Sequence, residues 1–297
     1  MLENEKLAKL FIWIISNFDM VFKKLNFATA GIPISTQNPS TIEGINRVNE
    51  LGLSGMELEF AYSINVKKED APQVKEIAQS KEVFLTCHGS YFINLNSLER
   101  PKFHASVSRV IASAKRAEEC GAVSMTFHPG FYMKMTQEET FENIKKGFEE
   151  IEEKLKLSKN KIIVRPETTG KVTQFGSIEE LLTLCSQLNT TLPCIDFSHL
   201  HARSNGKFNS YDEFRKVLED SEKALGKDFL KNMHAHISGI EYTAKGERRH
   251  LVLKESDFKY QELLKALKDM DCRGIVICES PNIEEDALLM KKTFEEI

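Results

Sequence analysis

Cysteine is scarce in this chain: six residues in 297, at positions 87, 120, 185, 194, 272 and 278, with no C-x-x-C pair among them. Such spacing forms no disulfide framework and reads as reduced thiols of a cytosolic protein. A surplus of positive charge is also lacking. Lys and Arg number 40 against 44 Asp and Glu, a formal charge of -4. With no global basic field, any contact with nucleic acid must come from a local patch. Long apolar runs are missing as well. The only one near an end, residues 7–22, is broken by Lys9, Asn17 and Asp19. It falls short of the roughly 20 apolar residues a membrane span needs. The residues before it, Glu3, Glu5 and Lys6, do not make the positive start of a secretory signal, and no small-residue cleavage pattern follows. Residues 1–22 are therefore expected to be a helical extension on a body spanning 23–297, with Met20 as an alternative start. A cytoplasmic location is expected. Neither a G-x-G-x-x-G phosphate turn nor a G-x-S-x-G nucleophile elbow occurs.

What is present is ordinary globular composition, 41% hydrophobic and 28% charged, in a chain long enough for a sizeable core. No repeat, Pro-rich linker or charge run divides it. A strand-then-helix rhythm does recur. Short apolar runs lie at 26–32, 55–61, 83–87, 123–127, 161–165, 192–195, 232–237 and 274–278. Between them stand segments of helical period, among them 105–120, 136–157, 177–188, 211–223 and 260–270. Eight strands alternating with helices over about 250 residues is the arithmetic of a (β/α)8 TIM barrel. A doubly wound open sheet is the alternative, and it would normally carry the missing Gly-rich turn.

Six of these runs end in, or contain, a side chain of metal-binding type. His88 and His128 follow the third and fourth. Glu167, Asp196 and Glu279 close the fifth, sixth and eighth, and His234 and His236 lie within the seventh. In a barrel all strand C-termini open on one face, where active sites are built. A lone histidine there is more often structural and a lone carboxylate is often a helix cap. Several carboxylates gathered at one mouth would repel one another and raise their pKa values, a penalty that divalent cations remove. Imidazole mixed with carboxylate suits Zn²⁺, Mn²⁺ or Fe²⁺. Asp196-Phe-Ser-His199 adds an imidazole at a strand exit, and Glu247-Arg-Arg-His250 lies in an expected loop past the seventh strand. His104 and His201 read as non-ligands. Cys87, Cys194 and Cys278 read as small buried hydrophobes.

These residues, in order, resemble the endonuclease IV family, the zinc-dependent apurinic/apyrimidinic endonucleases of the xylose-isomerase-like barrel superfamily. The matching stretches are His88-Gly-Ser-Tyr91-Phe-Ile-Asn-Leu, Phe127-His128-Pro-Gly130, Glu167-Thr-Thr-Gly170, Asp196-Phe-Ser-His199, His236-Ile-Ser-Gly and Glu279-Ser-Pro-Asn282. The resemblance implies two or three zinc ions, with Mn²⁺ or Fe²⁺ as substitutes. The first would take His88, His128 and Glu167. The second would take Glu167, Asp196, His236 and Glu279, with His236 preferred to His234 on its following residues. The third would take His199, His250 and a carboxylate. It also implies hydrolysis of the phosphodiester 5′ to an abasic site in duplex DNA, leaving a 3′-hydroxyl, by a monomeric enzyme. Glu167 and Glu279 would be the catalytic carboxylates, with Glu279 orienting the attacking water. Tyr91 matches a residue that probes the abasic gap, beside Phe92. Arg203, Arg248 and Arg249, with Lys134 and Lys207, are the candidate phosphate contacts.

Two positions depart from the family. Its third-zinc motif is Asp-x-His, but Arg248 stands two before His250 here. Glu247, one place further off, is the candidate substitute; without it the third ion is weak or missing and Arg248 is free for a phosphate. The family also inserts an Arg-bearing loop into DNA after the second strand. Here that segment is Glu59-Phe-Ala-Tyr-Ser-Ile-Asn-Val-Lys-Lys, with no Arg. Two rival readings are compatible with the residues. A single-metal sugar isomerase or epimerase of the same superfamily would need Glu167, Asp196, His236 and Glu279 but not the other histidines. A damaged-DNA binder would keep the metals without cleaving.

Overall fold

The computed structural model describes residues 22–297, so the expected N-terminal extension lies, except for Phe22, outside the described residues. In chain order the elements are β1 (Leu25–Ala30), α1 (Thr41–Glu50), β2 (Gly55–Glu59), α2 (Ala71–Ser80), β3 (Phe84–His88), α3 (Arg100–Glu119) and β4 (Ser124–Phe127). There follow β5 (Gly130–Phe131), α4 (Gln137–Leu157), β6 (Ile163–Pro166), β7 (Gln174–Phe175), α5 (Ile178–Gln187), β8 (Ile195–Asp196), α6 (Phe197–Arg203) and α7 (Tyr211–Leu225). The chain ends with β9 (Met233–Ile237), β10 (Gly239–Thr243), β11 (Gly246–Leu251), α8 (Tyr260–Asp269), β12 (Gly274–Cys278) and α9 (Glu284–Glu296).

Eight strands pair in parallel in the order β6-β4-β3-β2-β1-β12-β9-β8. The two ends meet: a parallel bridge joins Glu167 to Cys194, the Cys194 N–H donates to the Pro166 carbonyl (2.9 Å), and the Thr168 N–H donates to the Cys194 carbonyl (3.1 Å). The sheet is therefore a closed TIM barrel. No helix among the described residues is long and apolar enough to cross a membrane.

The helices are fixed at their starts by local chemistry. Thr136 with Glu139, and Ser177 with Glu180, form complete capping boxes on α4 and α5. The apolar shell between strands and helices holds Met56, Leu58, Leu85, Phe127, Phe148 and Phe214, all buried. Inside the barrel the filling is different. Ala28, Ile275 and Ile277 form only a small separate apolar cluster. The other inward positions carry Asn26, Glu57, Thr86, Ser124, Thr126, Arg165 and His234, all buried. Arg165 is 1% exposed. Its terminal nitrogens donate to the carbonyls of Pro193 (3.1 Å) and Asn232 (2.9 Å), while Nε has no partner. A barrel interior this polar does not come from packing needs alone.

Candidate metal centre

Each strand delivers its polar residue at its C-terminal end. β3 ends on His88, and the loop after β4 begins with His128. Glu167 follows β6, Asp196 ends β8, His236 lies in β9, and Glu279 follows β12. Asp196 then caps α6, its Oδ1 accepting from the His199 N–H (2.7 Å), which turns His199 back over the mouth. A seven-residue helix thus stands at this strand exit.

The segment 247–250, expected in a loop, forms strand β11 of an antiparallel hairpin with β10. Its placement depends on two glycines. Gly246 has φ +93°, and a Cβ there would lie 2.1 Å from the Gly170 carbonyl oxygen. At Gly170 a Cβ would meet the Glu247 Cβ at 2.6 Å and the His199 Cδ2 at 2.9 Å. Only this close approach brings Glu247 beside His199, and the Glu247 N–H donating to the Gly170 carbonyl (2.9 Å) holds it there.

Four sets of ligand-type atoms converge among the described residues, each set with all its atoms within 4.8 Å of one another: His88, His128 and Glu167; Glu167, Asp196, His236 and Glu279; His199, Glu247 and His250; and the fully buried Cys194, His234 and His236. Glu167 is the hub. Its Oε2 is 3.0 Å from His88 Nε2, and its Oε1 is 3.2 Å from His128 Nε2 and 3.6 Å from His236 Nδ1. Three buried atoms that point inward have no hydrogen-bond partner: Asp196 Oδ2, His236 Nδ1 and Glu279 Oε2. Buried polar atoms are rarely left so. The donor set, mixed imidazole and carboxylate with orphaned lone pairs facing one another, fits divalent cations.

Charge accounts agree with that fit. Burial pushes the Glu167 carboxyl up, but His128, His236 and His88 outweigh it and hold the group well below the usual range. Burial drives Asp196 well above its usual range against the pull of His199, and Glu279 and Glu167 add repulsion. Burial would lower His88, yet the Glu167 charge lifts it to about 10. Protons and histidine charge thus do in the bare protein what cations would do in a loaded one. Cys194, although its thiol is one of the fourth set, stays protonated in the bare protein: burial lifts both Cys194 and Cys278 to about 12.

The two histidines read as non-ligands lie outside these sets. His104, on the outside of α3, has a side chain 61% exposed. His201 is buried between the Asp257 carboxylate (3.0 Å) and the Phe208 carbonyl (3.2 Å). The Arg203 guanidinium ties loops together, donating to the carbonyls of Lys171 (2.6 Å) and Gln174 (2.9 Å), to Thr169 Oγ1 (3.1 Å) and to the Tyr132 hydroxyl (3.2 Å). Arg248 and Arg249 are exposed on β11, and both pair with Glu241 at 2.6 Å. Lys134 and Lys207 are exposed. Tyr91 and Phe92 stand at the rim, 56% and 57% exposed, and the Tyr91 ring lies 5.9 Å from that of His88.

Three site residues escaped the sequence reading. Tyr62, 78% exposed, lies edge-on to Tyr91 (5.5 Å) and Phe92 (6.3 Å), in the loop that lacks the family arginine. Glu57 and Glu59 point into the barrel from β2. Glu57 is buried 3.1 Å from both His234 Nε2 and His236 Nε2. Burial, then the Glu57 charge, raises the Glu59 carboxyl to about 8.

The profile of the xylose isomerase-like TIM barrel family matches residues 45–295. An uncharacterized protein of Methanocaldococcus jannaschii is 46% identical over 92% of this chain and 98% of its own length. Apurinic-apyrimidinic endonuclease 1 of Plasmodium berghei is 26% identical over 84% of this chain, which spans 51% of that longer protein. Among solved structures, endonuclease IV of Thermus thermophilus superposes with a TM-score of 0.70 at 16% identity, over 91% of this chain and all of that one. A D-tagatose 3-epimerase-like protein reaches 0.69 at 18% identity, over 90% and 96%. At those identities the two structures speak for the fold alone.

Proposed function

We propose that this chain, which belongs to the xylose isomerase-like TIM barrel family, is a zinc-dependent DNA endonuclease that hydrolyses the phosphodiester 5′ to abasic sites and leaves a 3′-hydroxyl. The observation that carries this reading is the convergence of three carboxylate-bearing ligand sets on one mouth, with Glu167 shared by two of them. A sugar epimerase with a single ion needs only Glu167, Asp196, His236 and Glu279. That reading leaves His88, His128, His199, Glu247 and His250 without a task.

His88, His128 and Glu167 would hold the first zinc ion. Glu167, Asp196, His236 and Glu279 would hold the second, and His199, Glu247 and His250 the third. When bound, the ions supply Lewis acidity toward the scissile phosphate and the attacking water. The protein does the rest. Glu279 keeps Oε2 free of any hydrogen bond, so it can accept a proton from that water and orient it. Tyr91 and Phe92, with Tyr62, present apolar faces at the rim on which bases flanking a gap can stack. An abasic nucleotide has less stacking and pairing to lose than an intact one, so it is the cheaper one to draw into the mouth. Arg248 and Arg249 supply local positive charge that the chain as a whole lacks.

The test is a duplex oligonucleotide carrying one tetrahydrofuran abasic analogue, end-labelled, with and without chelator. The analogue cannot undergo β-elimination, so any cut is hydrolytic. One cut 5′ to the lesion, abolished by chelation and restored by Zn²⁺ or Mn²⁺, is expected. Intact duplex after incubation with fully metallated protein would refute the reading.

A further inference from the structure

The histidines of the centre are not all oriented alike. His88 Nδ1 lies 2.9 Å from the Gly89 carbonyl, His199 Nδ1 2.9 Å from the Thr168 carbonyl, and His250 Nδ1 3.1 Å from the Glu279 carbonyl. A carbonyl only accepts, so in each ring Nδ1 carries a proton and Nε2 is the nitrogen that a metal ion can take, at His88 by displacing the proton that faces Glu167. His236 is reversed. Its Nδ1 faces the ligand carboxylates, 3.3 Å from Glu279 Oε1 and 3.6 Å from Glu167 Oε1, and has no hydrogen bond. Its Nε2 faces down into the barrel, 3.1 Å from Glu57 Oε1 and 3.2 Å from His234 Nε2.

Beneath it lies a closed polar layer. Glu57 Oε2 accepts from Thr86 Oγ1 (2.7 Å) and is 3.1 Å from His234 Nε2. His234 Nδ1 is 2.9 Å from Ser124 Oγ. Glu57, Thr86, His234 and His236 are all 0% exposed. A carboxylate this deep is costly unless a positive or donating partner meets it; Glu57 Oε1 carries no aligned hydrogen bond, and the His236 ring, 3.1 Å away, is the ion partner at that oxygen. The backbone supplies no carbonyl for this ring, so a side chain takes over the task that carbonyls perform at His88, His199 and His250.

We propose that Glu57 is a positioning residue that fixes His236 with Nε2 protonated and Nδ1 free for a metal ion, and that His234 is a brace between Glu57 and Ser124, not a ligand. The two histidines of His-Ala-His thus have different jobs. This inference rests on the metal centre proposed above, but not on the identity of the substrate.

Two measurements on the full chain test it. In zinc-loaded wild-type protein with ¹⁵N-labelled histidine, long-range ¹H–¹⁵N spectra should show one ring ligated through Nδ1 and protonated at Nε2. The ring is assigned by its loss in His236→Gln. Ligation of His236 through Nε2 would overturn the proposal without any substitution at Glu57. The second is zinc competition against a chromophoric chelator in Glu57→Gln. One ion should bind about 10 to 100 times more weakly, the range for such outer partners, while the other ions keep wild-type affinity and ion count is unchanged at saturation. Unchanged affinity for every ion would overturn it, and so would loss of one whole ion at saturating zinc, which would make Glu57 a ligand itself. Wild-type protein that binds no divalent ion would overturn this proposal and the metal centre together. Normal zinc binding without DNA cleavage would overturn only the endonuclease reading.

Discussion

Replacing Glu247 by Gln isolates the third ion. The carboxylate lies 3.6 Å from His199 Nε2 and 4.0 Å from His250 Nε2, and it is the only anionic member of its set. Its place is held by the backbone, through the Glu247 N–H to the Gly170 carbonyl, so the amide should sit where the acid did. Two neutral imidazoles would remain, a poor site for a divalent cation. At free zinc about 1,000 times the dissociation constant, a filled site stabilises the fold by about 4 kcal/mol. At roughly 2 °C per kcal/mol for a chain of this size, losing one site lowers the melting temperature by about 8 °C. In excess chelator no ion is bound, and a partly exposed Glu-to-Gln change should move it by less than about 1 °C. Thermal melts of both proteins with zinc and with chelator, alongside metal analysis, give the answer. Equal destabilisation in both buffers, or an unchanged ion count, would refute the reasoning, since Glu247 would then be structural.

Tyr62→Ala removes the most exposed ring of the rim cluster; it should weaken binding of an abasic duplex by about 1–3 kcal/mol, the range for a stacked base, with ion count unchanged, and equal affinity in a gel-shift titration would remove Tyr62 from the interface. Arg248→Ala with Arg249→Ala breaks only exposed pairs to Glu241, of little worth to the fold; the slope of log affinity against log salt should flatten by about 0.9 for each phosphate no longer neutralised, and an unaltered slope would show that neither Arg meets DNA. Glu59 gives the metal-free protein a pH dependence. Its folded carboxyl titrates near 8 against an ordinary 4.5. Its contribution is therefore complete below about 4.5 and is lost as the pH rises through 8, because the unfolded chain ionises first. Metal-free Glu59→Gln should gain stability over wild type on going from pH 5 to pH 8 in denaturant melts; parallel curves would contradict this.

The barrel and most of its ligands were legible because six of the eight strands end in, or contain, a residue of metal-binding type, and strand ends are where a barrel places its site. Glu57 and Glu59 were not. In Gly-Met-Glu-Leu-Glu the alternation looks like an ordinary strand with its polar face in water. In a closed barrel the relation inverts: Met56 and Leu58 face the helices, and the glutamates face inward. The same inversion explains buried Arg165, which reads as a strand-end surface charge. Helices α1, α2 and α9 were not among the segments singled out by helical period, because their buried stripes are thin; α1 buries only Gly44, Ile45 and Val48. The hairpin β10–β11 reads as a loop because its strand residues are charged, and its seat depends on the close approach of Gly170 and Gly246, which are 76 positions apart in the chain. That long-range approach also decides whether Glu247 can stand in for the family aspartate.

The proposed function stands or falls on whether the extra histidines serve a phosphodiester. The most direct measurement gives one zinc-loaded preparation two substrates side by side, the tetrahydrofuran duplex and a panel of ketohexoses, and repeats both with His199→Gln and Glu247→Gln. The expected result is cleavage by wild-type protein, at least 10-fold slower in both variants, with no sugar turnover. Epimerisation of a ketohexose that survives in both variants, with the duplex left intact, would contradict the account and assign the centre to a single ion at Glu167, Asp196, His236 and Glu279.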